Sequence, residues 1–418
     1  MSSRPHVVVV GAGFGGLWAA RSIVHFNVDL LLIDQNNYHT FLPLLYQVAA
    51  AELEAEEIAY PVRSILRKFP NAEFALANVE AIDPRARLVK TRDRMIHYDY
   101  LVLSTGSVPE FFQIPGADKY ALPLKTLEDA ISIRNQILAC FEKAVQETDH
   151  TRREQMLTFT IVGGGPTGVE FAGALAELIH GALVKDFTTL DFQEVHVIIL
   201  EALGNLLLGF PRRLQNHALK RLAEMGVDVR LSSPVAEITP DAVLLKDGTL
   251  IPTETVVWTA GVRGNPEANA AGLPTAPNGQ VLVLPSLQVK GYPDIYVVGD
   301  LARFEEDRNL LPMIAPVAIQ QGAHAARNII RQISGLPPKA FRYRDRGKMV
   351  TIGRNSGVAE VLGRSLTGFS AWVAWLVVHL YNLIGFRNRI FVLIDWAWDY
   401  LFFERAIRLI LPKKGVQS

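Results

Sequence analysis

Two segments of the chain share one order of apolar, glycine-rich and amphipathic stretches. His6 to Val10 is a continuous apolar run rich in valine, which is typical of a strand buried on both faces. It is followed by GAGFGG, by the helical pattern of Leu17 to Phe26 and by a second buried run, Leu30 to Ile33, that ends at Asp34. This order predicts a strand, a glycine turn, a helix and a second, parallel strand, which together form a βαβ unit.

The same order recurs about 150 residues later. Leu157 to Val162 predicts a strand, GGGPTG follows it, and Thr167 to about His180 predicts a helix. Val195 to Leu200 predicts the next strand, which ends at Glu201. The chain is therefore expected to contain two dinucleotide-type folds.

Shorter apolar segments lie between and after these two folds. Val227 to Leu231 and Thr255 to Trp258, with a predicted turn at Asp247-Gly248, are interpreted as small antiparallel additions. Ile295 to Val298 is another apolar strand, and the simplest arrangement places it beside the first fold. The second fold is then inserted into the first.

This organisation predicts an α/β protein with two Rossmann-like domains and a C-terminal extension. The first domain is discontinuous and covers residues 1–125 and 285–335. The inserted second domain covers residues 126–284, and the C-terminal region covers 336–418.

The C-terminal region is apolar, aromatic and basic. Leu366 to Phe386 is a 21-residue stretch whose only titratable side chain near neutral pH is His379, and Ile390 to Phe403 is nearly as apolar. Four of the six tryptophans lie here, a residue type that favours the membrane interface. From Val361 onward, seven Lys or Arg oppose three Asp or Glu, so this part carries +4 and the rest −4. These features predict a membrane-binding tail.

Two interpretations of this tail remain open from the sequence. Arg364 and Arg387 flank a stretch long enough to span a bilayer. Asp395 and Asp399 instead lie one helical turn apart on one face of the second stretch, which suits a helix lying in the interface. We favour surface attachment.

Composition excludes several other classes. With 49% apolar and 20% charged residues in 418, the chain is neither disordered nor fibrous. Forty-two basic residues balance 42 acidic ones, which argues against a general grip on nucleic acid. A single cysteine, Cys140, excludes an intramolecular disulfide, a CxxC pair and thiolate metal sites. His39, His180 and His324 show no metal-binding spacing, and the N-terminus lacks a secretory pattern, so we expect a cytoplasmic protein without a metal.

The first glycine loop carries the candidate chemistry of the first fold. Gly11, Gly13 and Gly16 form GxGxxG between a strand and a helix, a context that favours pyrophosphate binding at the helix N-terminus. Asp34 follows Gly16 by 18 residues, where a carboxylate would bind ribose hydroxyls. Another pair, Gly299-Asp300, would lie near the ribityl and phosphate groups of a flavin, or Asp300 would cap the following helix.

The second loop repeats this arrangement with Gly163, Gly165 and Gly168. Glu201 stands at the end of the next strand, where it would repel a 2′-phosphate and favour NADH over NADPH. Glu201 follows Gly168 by 33 residues, and an insertion around Val184 to Glu194 explains this long gap. Two such sites imply hydride transfer between a nicotinamide and a flavin.

Several longer strings strengthen this interpretation. They are LIDQNNYHTFLPLLYQVA at 32–49, GGGPTGVEFAG at 163–173, WTAGV at 258–262, IYVVGD at 295–300 and APVAIQQGAHAARNI at 315–329. Together they resemble the two-dinucleotide flavoproteins and, more closely, the type II NADH:quinone oxidoreductases, over nearly the whole chain.

The resemblance implies a flavin domain, an inserted NADH domain and a C-terminal pair of amphipathic helices. These helices would hold a homodimer on the cytoplasmic face of the inner membrane, as a monotopic, non-proton-pumping NADH dehydrogenase that reduces a membrane quinone. The implied FAD contacts are Gly11, Gly13, Gly16, Asp34, Thr105, Gly106 and Asp300. The implied NADH contacts are Gly163, Gly165, Gly168, Glu201 and Gly261.

Two further residues are implied as catalytic. Glu170 matches the family's carboxylate near the flavin, although a glutamate there could also complement the helix dipole. Family members often show AQxAxQ where this chain has APVAIQ, so Pro316 replaces the first glutamine and Gln320 retains the second as the quinone contact. Gln321 stands beside it, and the sequence does not decide which of the two faces the quinone.

Rival flavoproteins are discriminated by chemistry. Disulfide reductases and sulfide:quinone oxidoreductases need paired cysteines, which one Cys140 cannot supply. A soluble reductase of a protein acceptor and a redox-sensing flavoprotein remain as alternatives. The first has no use for the apolar tail, and the two intact glycine loops argue against the second. The sequence does not specify which quinone is used.

Overall fold

The structure, a computed structural model, describes residues 4–266, 271–307, 309–361, 363–402 and 407–410. Parts of the predicted basic tail, residues 403–406 and 411–418, lie outside this set. The chain divides into two compact units, each built from segments distant in sequence. The first unit comprises Met1–Thr40, Ala59–Val108 and Val262–Arg346, and the second comprises Phe41–Ile58, Pro109–Gly261 and Gly347–Ser418.

A six-stranded sheet forms the core of the first unit. Its strands, in spatial order, are Gln288–Val289, Tyr292–Val297, Tyr100–Leu103, His6–Val10, Asp29–Asp34 and Ala72–Leu76. All neighbours run parallel except the first pair. The strand His6–Val10 lies near the centre with Val7, Val8 and Val9 fully buried, which explains its continuous apolar run.

The predicted strand at Ile295 to Val298 is confirmed as part of the first fold. Tyr292–Val297 pairs in parallel with Tyr100–Leu103, with Tyr296 opposite Val102. The strands of the second fold lie between these two in the chain. The second fold is therefore inserted into the first, as the sequence predicts.

Two helices cross closely beside the first glycine loop. Phe14–Ile23 follows the loop, and Ala315–Ile333 packs against it. A Cβ on Gly322 would come within 2.1 Å of the Gly15 carbonyl oxygen, so only glycine permits this crossing. The remaining elements of this unit are short. They are Tyr38–Thr40, Ala59–Pro61, Val62–Leu66, Val79–Asp83, Leu88–Thr91, Met95–His97, Ser107–Pro109, Val262–Gly264, Val281–Leu282, Gly299–Leu301, Ala302–Arg303, Glu305–Glu306 and Asn309–Leu310.

A five-stranded parallel sheet forms the core of the second unit. Its strands, in spatial order, are Leu122–Pro123, Thr255–Trp258, Thr158–Val162, His196–Leu200 and Val227–Arg230. The prediction that Val227 to Leu231 and Thr255 to Trp258 are antiparallel additions is therefore wrong. Short apolar runs do not reveal strand direction, which here follows from the crossover connections.

The antiparallel addition to this unit is a separate meander. It comprises Val235–Ile238, Ala242–Leu245 and Leu250–Pro252. The predicted turn at Asp247-Gly248 joins its last two strands, with Gly248 at φ +89°. That part of the prediction is confirmed.

The second unit also contains a long helix after its glycine loop and several shorter ones. Pro166–Glu177 follows the second glycine loop and continues as the π-helical Leu178–Leu183 and as Val184–Asp186. With the 3₁₀ turn Phe192–Glu194, this extension fills the long gap between Gly168 and Glu201. The other helices are Leu42–Leu44 (3₁₀), Leu45–Ala49, Ala55–Ile58, Ala117–Tyr120, Leu127–Ala144, His150–Met156 and Arg212–Glu224.

The C-terminal region forms a small sheet followed by two helices. The antiparallel strands Lys348–Thr351, Gly357–Val361 and Arg364–Thr367 precede the helices Phe369–Asn382 and Phe386–Phe402. We call these the first and second C-terminal helices. Gly385, at φ +94°, lies at the break between them.

This break bears on the two interpretations of the apolar tail. The first C-terminal helix has 14 residues and is about 21 Å long, shorter than the ~30 Å hydrocarbon core of a bilayer. Over the described residues, the stretch Leu366 to Phe386 is thus not one continuous spanning helix. Among all the described residues, one helix is long and apolar enough to span a membrane, namely Pro166–Asp186. Of its apolar window, 72% is buried inside the protein.

We expect Gly322→Ala to destabilise the first unit by about 1–3 kcal/mol, because the added methyl overpacks the helix crossing. Thermal unfolding followed by circular dichroism measures the effect. Gly181→Ala is the control, since a Cβ there meets nothing within 4 Å. Equal melting temperatures for Gly322→Ala and the native chain would contradict the close crossing.

Candidate cofactor and redox sites

The first glycine loop is held open by the acid at the end of the next strand. Asp34 Oδ2 accepts a hydrogen bond from Ala12 N at 2.6 Å, and its Oδ1 accepts one from Asn36 N at 2.7 Å. Burial raises the pKa of Asp34, and these two donors oppose that effect. A Cβ on Gly13 would meet nothing within 4 Å, so the loop leaves space for a ligand. Sequence reasoning assigned Asp34 to ribose and missed its role in shaping the loop.

Three loops meet at one edge of the first sheet. The glycine loop, Thr105-Gly106 and Asp300 follow the carboxyl ends of three adjacent strands, the edge where α/β sheets bind ligands. Among the described residues, the buried Thr105 hydroxyl has no hydrogen-bond partner, and a Cβ on Gly106 would meet no atom within 4 Å. An unsatisfied hydroxyl beside open backbone fits a polar cofactor such as FAD.

Asp300 lies in the 3₁₀ turn Gly299–Leu301 rather than capping a long helix. Its Oδ2 accepts a hydrogen bond from the Ser107 hydroxyl at 2.5 Å. The Gly299 N–H donates to Gln321 Oε1 at 2.8 Å, and Gln321 is buried. The side chain of Gln321 therefore fixes the loop that carries Asp300.

Gln320 has different partners. Its side-chain amide donates to Arg344 O and accepts from Arg344 N, both at 3.0 Å. Pro316 occupies the first turn of Ala315–Ile333, where a missing N–H costs little. The assignment of Gln320 to the quinone stays a prediction.

The second glycine loop repeats the geometry of the first. Glu201 Oε2 accepts from Gly164 N at 2.7 Å, and Oε1 accepts from Leu203 N at 2.8 Å. A Cβ on Gly165 would meet nothing within 4 Å, whereas one on Gly168 would lie 2.0 Å from Gly163 O. The loop is thus open at Gly165 and tightly packed at Gly168, as a pyrophosphate turn requires.

Gly261 lies beneath an aromatic side chain that sequence reasoning missed. A Cβ on Gly261 would come within 2.9 Å of the Phe112 ring, and Gly261 O accepts a hydrogen bond from Glu110 N at 3.0 Å. Phe112 is 58% exposed and has φ +51°. The sequence around Phe112 contains no pattern that predicts this backbone conformation or the contact with Gly261.

Glu170 is buried inside the second unit. It lies in Pro166–Glu177, and its Oε1 accepts a hydrogen bond from the indole Nε1–H of Trp375 at 3.2 Å. The backbone N–H of Thr351 also donates to the carboxylate. Burial outweighs both donors and raises the pKa of Glu170 to about 8. A carboxyl group with this pKa holds a proton at neutral pH and can exchange it.

A chain of hydrogen bonds surrounds this carboxyl group. The Tyr46 hydroxyl lies 2.9 Å from Thr351 Oγ1 and accepts from Gln47 Nε2 at 3.3 Å. Gln47 Oε1 in turn accepts from the indole N–H of Trp396 at 3.1 Å. Tyr46 and Gln47 belong to the string PLLYQVA, which pointed to the family without revealing these contacts.

Three polar side chains of the second C-terminal helix, Asn388, Asp395 and Asp399, have partners inside the protein. Asn388 Nδ2 donates to the Glu57 carbonyl oxygen at 2.8 Å, and Asp399 forms an ion pair with Arg354 at 2.6 Å. The carboxyl groups of Asp395 and Glu57 share a hydrogen bond, and burial with this contact raises the pKa of Glu57 to about 8. Asp395 and Asp399 therefore both have partners inside the protein, and attachment of this helix to a membrane surface stays a prediction.

Apolar side chains point outward from the same two helices. Tyr381 is 76% exposed and Leu401 is 68% exposed. The other exposed apolar residues are Phe369, Val373, Val377, Val378, Phe386, Ile390, Phe391, Leu393, Ile394, Trp398, Tyr400 and Phe402. So many exposed apolar side chains on two consecutive helices are typical of a surface that contacts a membrane or another protein.

Comparisons with known proteins place the chain in a family. A family model described as pyridine nucleotide-disulphide oxidoreductase matches residues 5–322, the class that the two loops and their sheets define. The type II NADH:quinone oxidoreductase Ndh of Mycobacterium tuberculosis is 37% identical, over 96% of this chain and 89% of that protein. The chain belongs to the type II NADH:quinone oxidoreductase family, and the resemblance found in its sequence is confirmed.

Solved structures show the same fold. NDH2 from Plasmodium falciparum in complex with NADH has a TM-score of 0.89 at 19% identity, and covers 98% of this chain and 100% of that one. The sulfide:quinone oxidoreductase of Aquifex aeolicus has a TM-score of 0.75 at 20% identity, with 96% of each chain covered. At these identities the likeness establishes the fold alone, and the chemistry has to be inferred from the residues of the site.

We expect Glu170→Gln to become more stable than the native chain as pH rises. The native Glu170 keeps its proton up to about pH 8, whereas the unfolded chain releases it near the ordinary value of a glutamate, so native stability falls between these limits. The melting temperature of Glu170→Gln should exceed that of the native chain by an amount that grows from about pH 5 to about pH 8. The exposed Glu142→Gln is the control, and a pH-independent difference would contradict the raised pKa.

Proposed function

We propose that this chain is an FAD-dependent NADH:quinone oxidoreductase that works at a membrane surface without pumping protons. The observation that carries the proposal is the repeated arrangement of an open glycine loop held by a carboxylate, once in each unit. Family membership supports the quinone as acceptor.

The residues of the first unit fit FAD. The open loop at Gly13 would receive the pyrophosphate, Asp34 the ribose hydroxyls, and Thr105 would gain the partner that its hydroxyl lacks. Gly106 and Asp300 would complete the contacts at the same sheet edge. When bound, FAD supplies the acceptor for the hydride of NADH and the two-electron donor for the quinone.

The residues of the second unit fit NADH. Gly163, Gly165 and Gly168 would hold the pyrophosphate at the N-terminus of Pro166–Glu177. Glu201 keeps one lone pair on each oxygen beyond its backbone donors, which suffices for ribose hydroxyls. Gly261 would lie on the nicotinamide side of the site.

Glu170 would hold a proton for quinone reduction. Reducing a quinone to a quinol takes up two protons, and a buried carboxyl group with a pKa of about 8 is protonated at neutral pH. Gln320 would contact the quinone through its side-chain amide, with Arg344 fixing its orientation.

The C-terminal helices would attach the protein to the cytoplasmic face of the inner membrane as a monotopic homodimer. Support comes from their outward apolar side chains and inward polar ones, an arrangement suited to an apolar surrounding. The basic excess of the tail would favour anionic headgroups.

The turnover experiment is NADH oxidation coupled to quinone reduction in reconstituted vesicles, with NADPH as the comparison. We expect Glu201→Gln to raise the ratio of kcat/KM for NADPH over NADH by about tenfold, because the charge that repels the 2′-phosphate is removed. The exposed Glu237→Gln is the control. Failure of the native enzyme to reduce quinone, with rapid reduction of soluble acceptors only, would contradict the proposed function.

Vesicle flotation tests the membrane surface. The double variant Val377→Glu and Leu401→Glu, at positions 61% and 68% exposed, should lose flotation with anionic vesicles while keeping its yellow cofactor. A matched control, Leu76→Glu with Met95→Glu, changes two exposed apolar residues of the first unit and should still float. Flotation of both variants would exclude the C-terminal helices as the attachment surface.

A further inference from the structure

The contact between Trp375 and Glu170 joins the first C-terminal helix to the buried carboxyl group. Trp375 lies in Phe369–Asn382 and is only 1% exposed, although its helix is otherwise rich in outward apolar side chains. Its indole Nε1–H, a donor with no acceptor function, points to Glu170 Oε1 at 3.2 Å. The buried indole N–H therefore has the Glu170 carboxyl group as its acceptor.

The indole ring is fixed on several sides. His379 stacks on it with ring centroids 3.9 Å apart, and His379 Nδ1 donates to the Trp375 carbonyl oxygen at 2.7 Å. The rings of Tyr46 and Trp396 lie 6.1 and 6.0 Å from it. These contacts leave the indole little freedom to turn its N–H away from the carboxyl group.

We propose that Trp375 is a positioning residue, which holds the Glu170 carboxyl group in one orientation and favours its ionised form through the indole N–H. The proposal rests on the proposed function to the extent that Glu170 takes part in quinone reduction. It assigns to the first C-terminal helix a part in the redox site in addition to any contact with the membrane.

The physical basis is the difference between the two protonation states. An N–H donor binds a carboxylate more strongly than a neutral carboxylic acid, so its loss shifts the balance toward the protonated form. The titratable groups packed nearby do not change charge near pH 7. Burial raises the pKa of Tyr46 and lowers that of His379, so both side chains stay neutral there. The negative charge of Glu52 raises the pKa of Tyr46 further, and Arg354 forms an ion pair with Asp399.

The test variant is Trp375→Phe, which keeps a ring to stack on His379 and removes the indole N–H. We expect the pH at which quinone reduction by the flavin-loaded enzyme changes most steeply to rise by about one pH unit. Reduction of the flavin by NADH, followed with ferricyanide as acceptor, should keep its pH dependence. In Glu170→Gln the inflection should vanish, and adding Trp375→Phe to that variant should have no further effect on the profile.

Trp258→Phe is the matched control, because it removes another buried indole N–H, which donates to the Glu110 carbonyl oxygen instead of Glu170. Its pH inflection should equal that of the native enzyme. Equal inflections in Trp375→Phe and the native enzyme, or equal shifts in both tryptophan variants, would overturn the positioning role.

A readout independent of activity separates this proposal from the proposed function. The infrared carboxylic C=O band that disappears in Glu170→Gln should titrate at higher pH in Trp375→Phe than in the native protein. If the native protein reduces no quinone yet the band shifts, the proposed function fails and the positioning role stands. If quinone turnover is normal and the band is unchanged, the positioning role fails alone.

A measurement on the native chain covers the case in which Trp375→Phe does not fold. Ultraviolet resonance Raman spectra report hydrogen bonding of indole N–H groups. One tryptophan band should change at the pH where the Glu170 carboxyl group ionises, and this change should be absent in Glu170→Gln. A tryptophan band that ignores the ionisation would overturn the proposal.

Discussion

The structure depends on carboxylates that hold glycine loops by their backbone N–H groups. Asp34 and Glu201 each accept two such bonds, one from the loop and one from the chain that follows the strand. Glycine turns alone would be entropically loose, and a charged acceptor at a fixed strand end orders them before any ligand arrives. The same oxygen atoms keep lone pairs for ribose, so one side chain can serve both the fold and the cofactor.

The sequence was most informative where structure is local. The two βαβ units follow from runs of buried valine, leucine and isoleucine and from glycines at fixed spacing, and both are present. The return of Ile295 to Val298 to the first sheet was also predicted. The parallel direction of Val227–Arg230 and Thr255–Trp258 was not predicted. It depends on long crossover connections, and the sequences of the strands themselves do not indicate it.

The candidate site shows the same division. Loop glycines and strand-end acids could be found because each has a fixed place relative to a local pattern. The partners of Glu170 could not, since Trp375 is 205 residues away in sequence. Likewise, the inward orientation of Asp399 depends on Arg354, and an apolar tail interrupted by two aspartates does not indicate which side faces the protein.

The interrupted first unit also shapes how the protein is made. The strand Tyr100–Leu103 waits for its neighbour Tyr292–Val297 while about 190 residues are synthesised, which takes roughly 10–40 s at ordinary elongation rates. During that interval the nascent chain presents an open sheet margin that can pair wrongly with other chains. The length of the inserted second unit therefore sets the interval between the synthesis of these two paired strands.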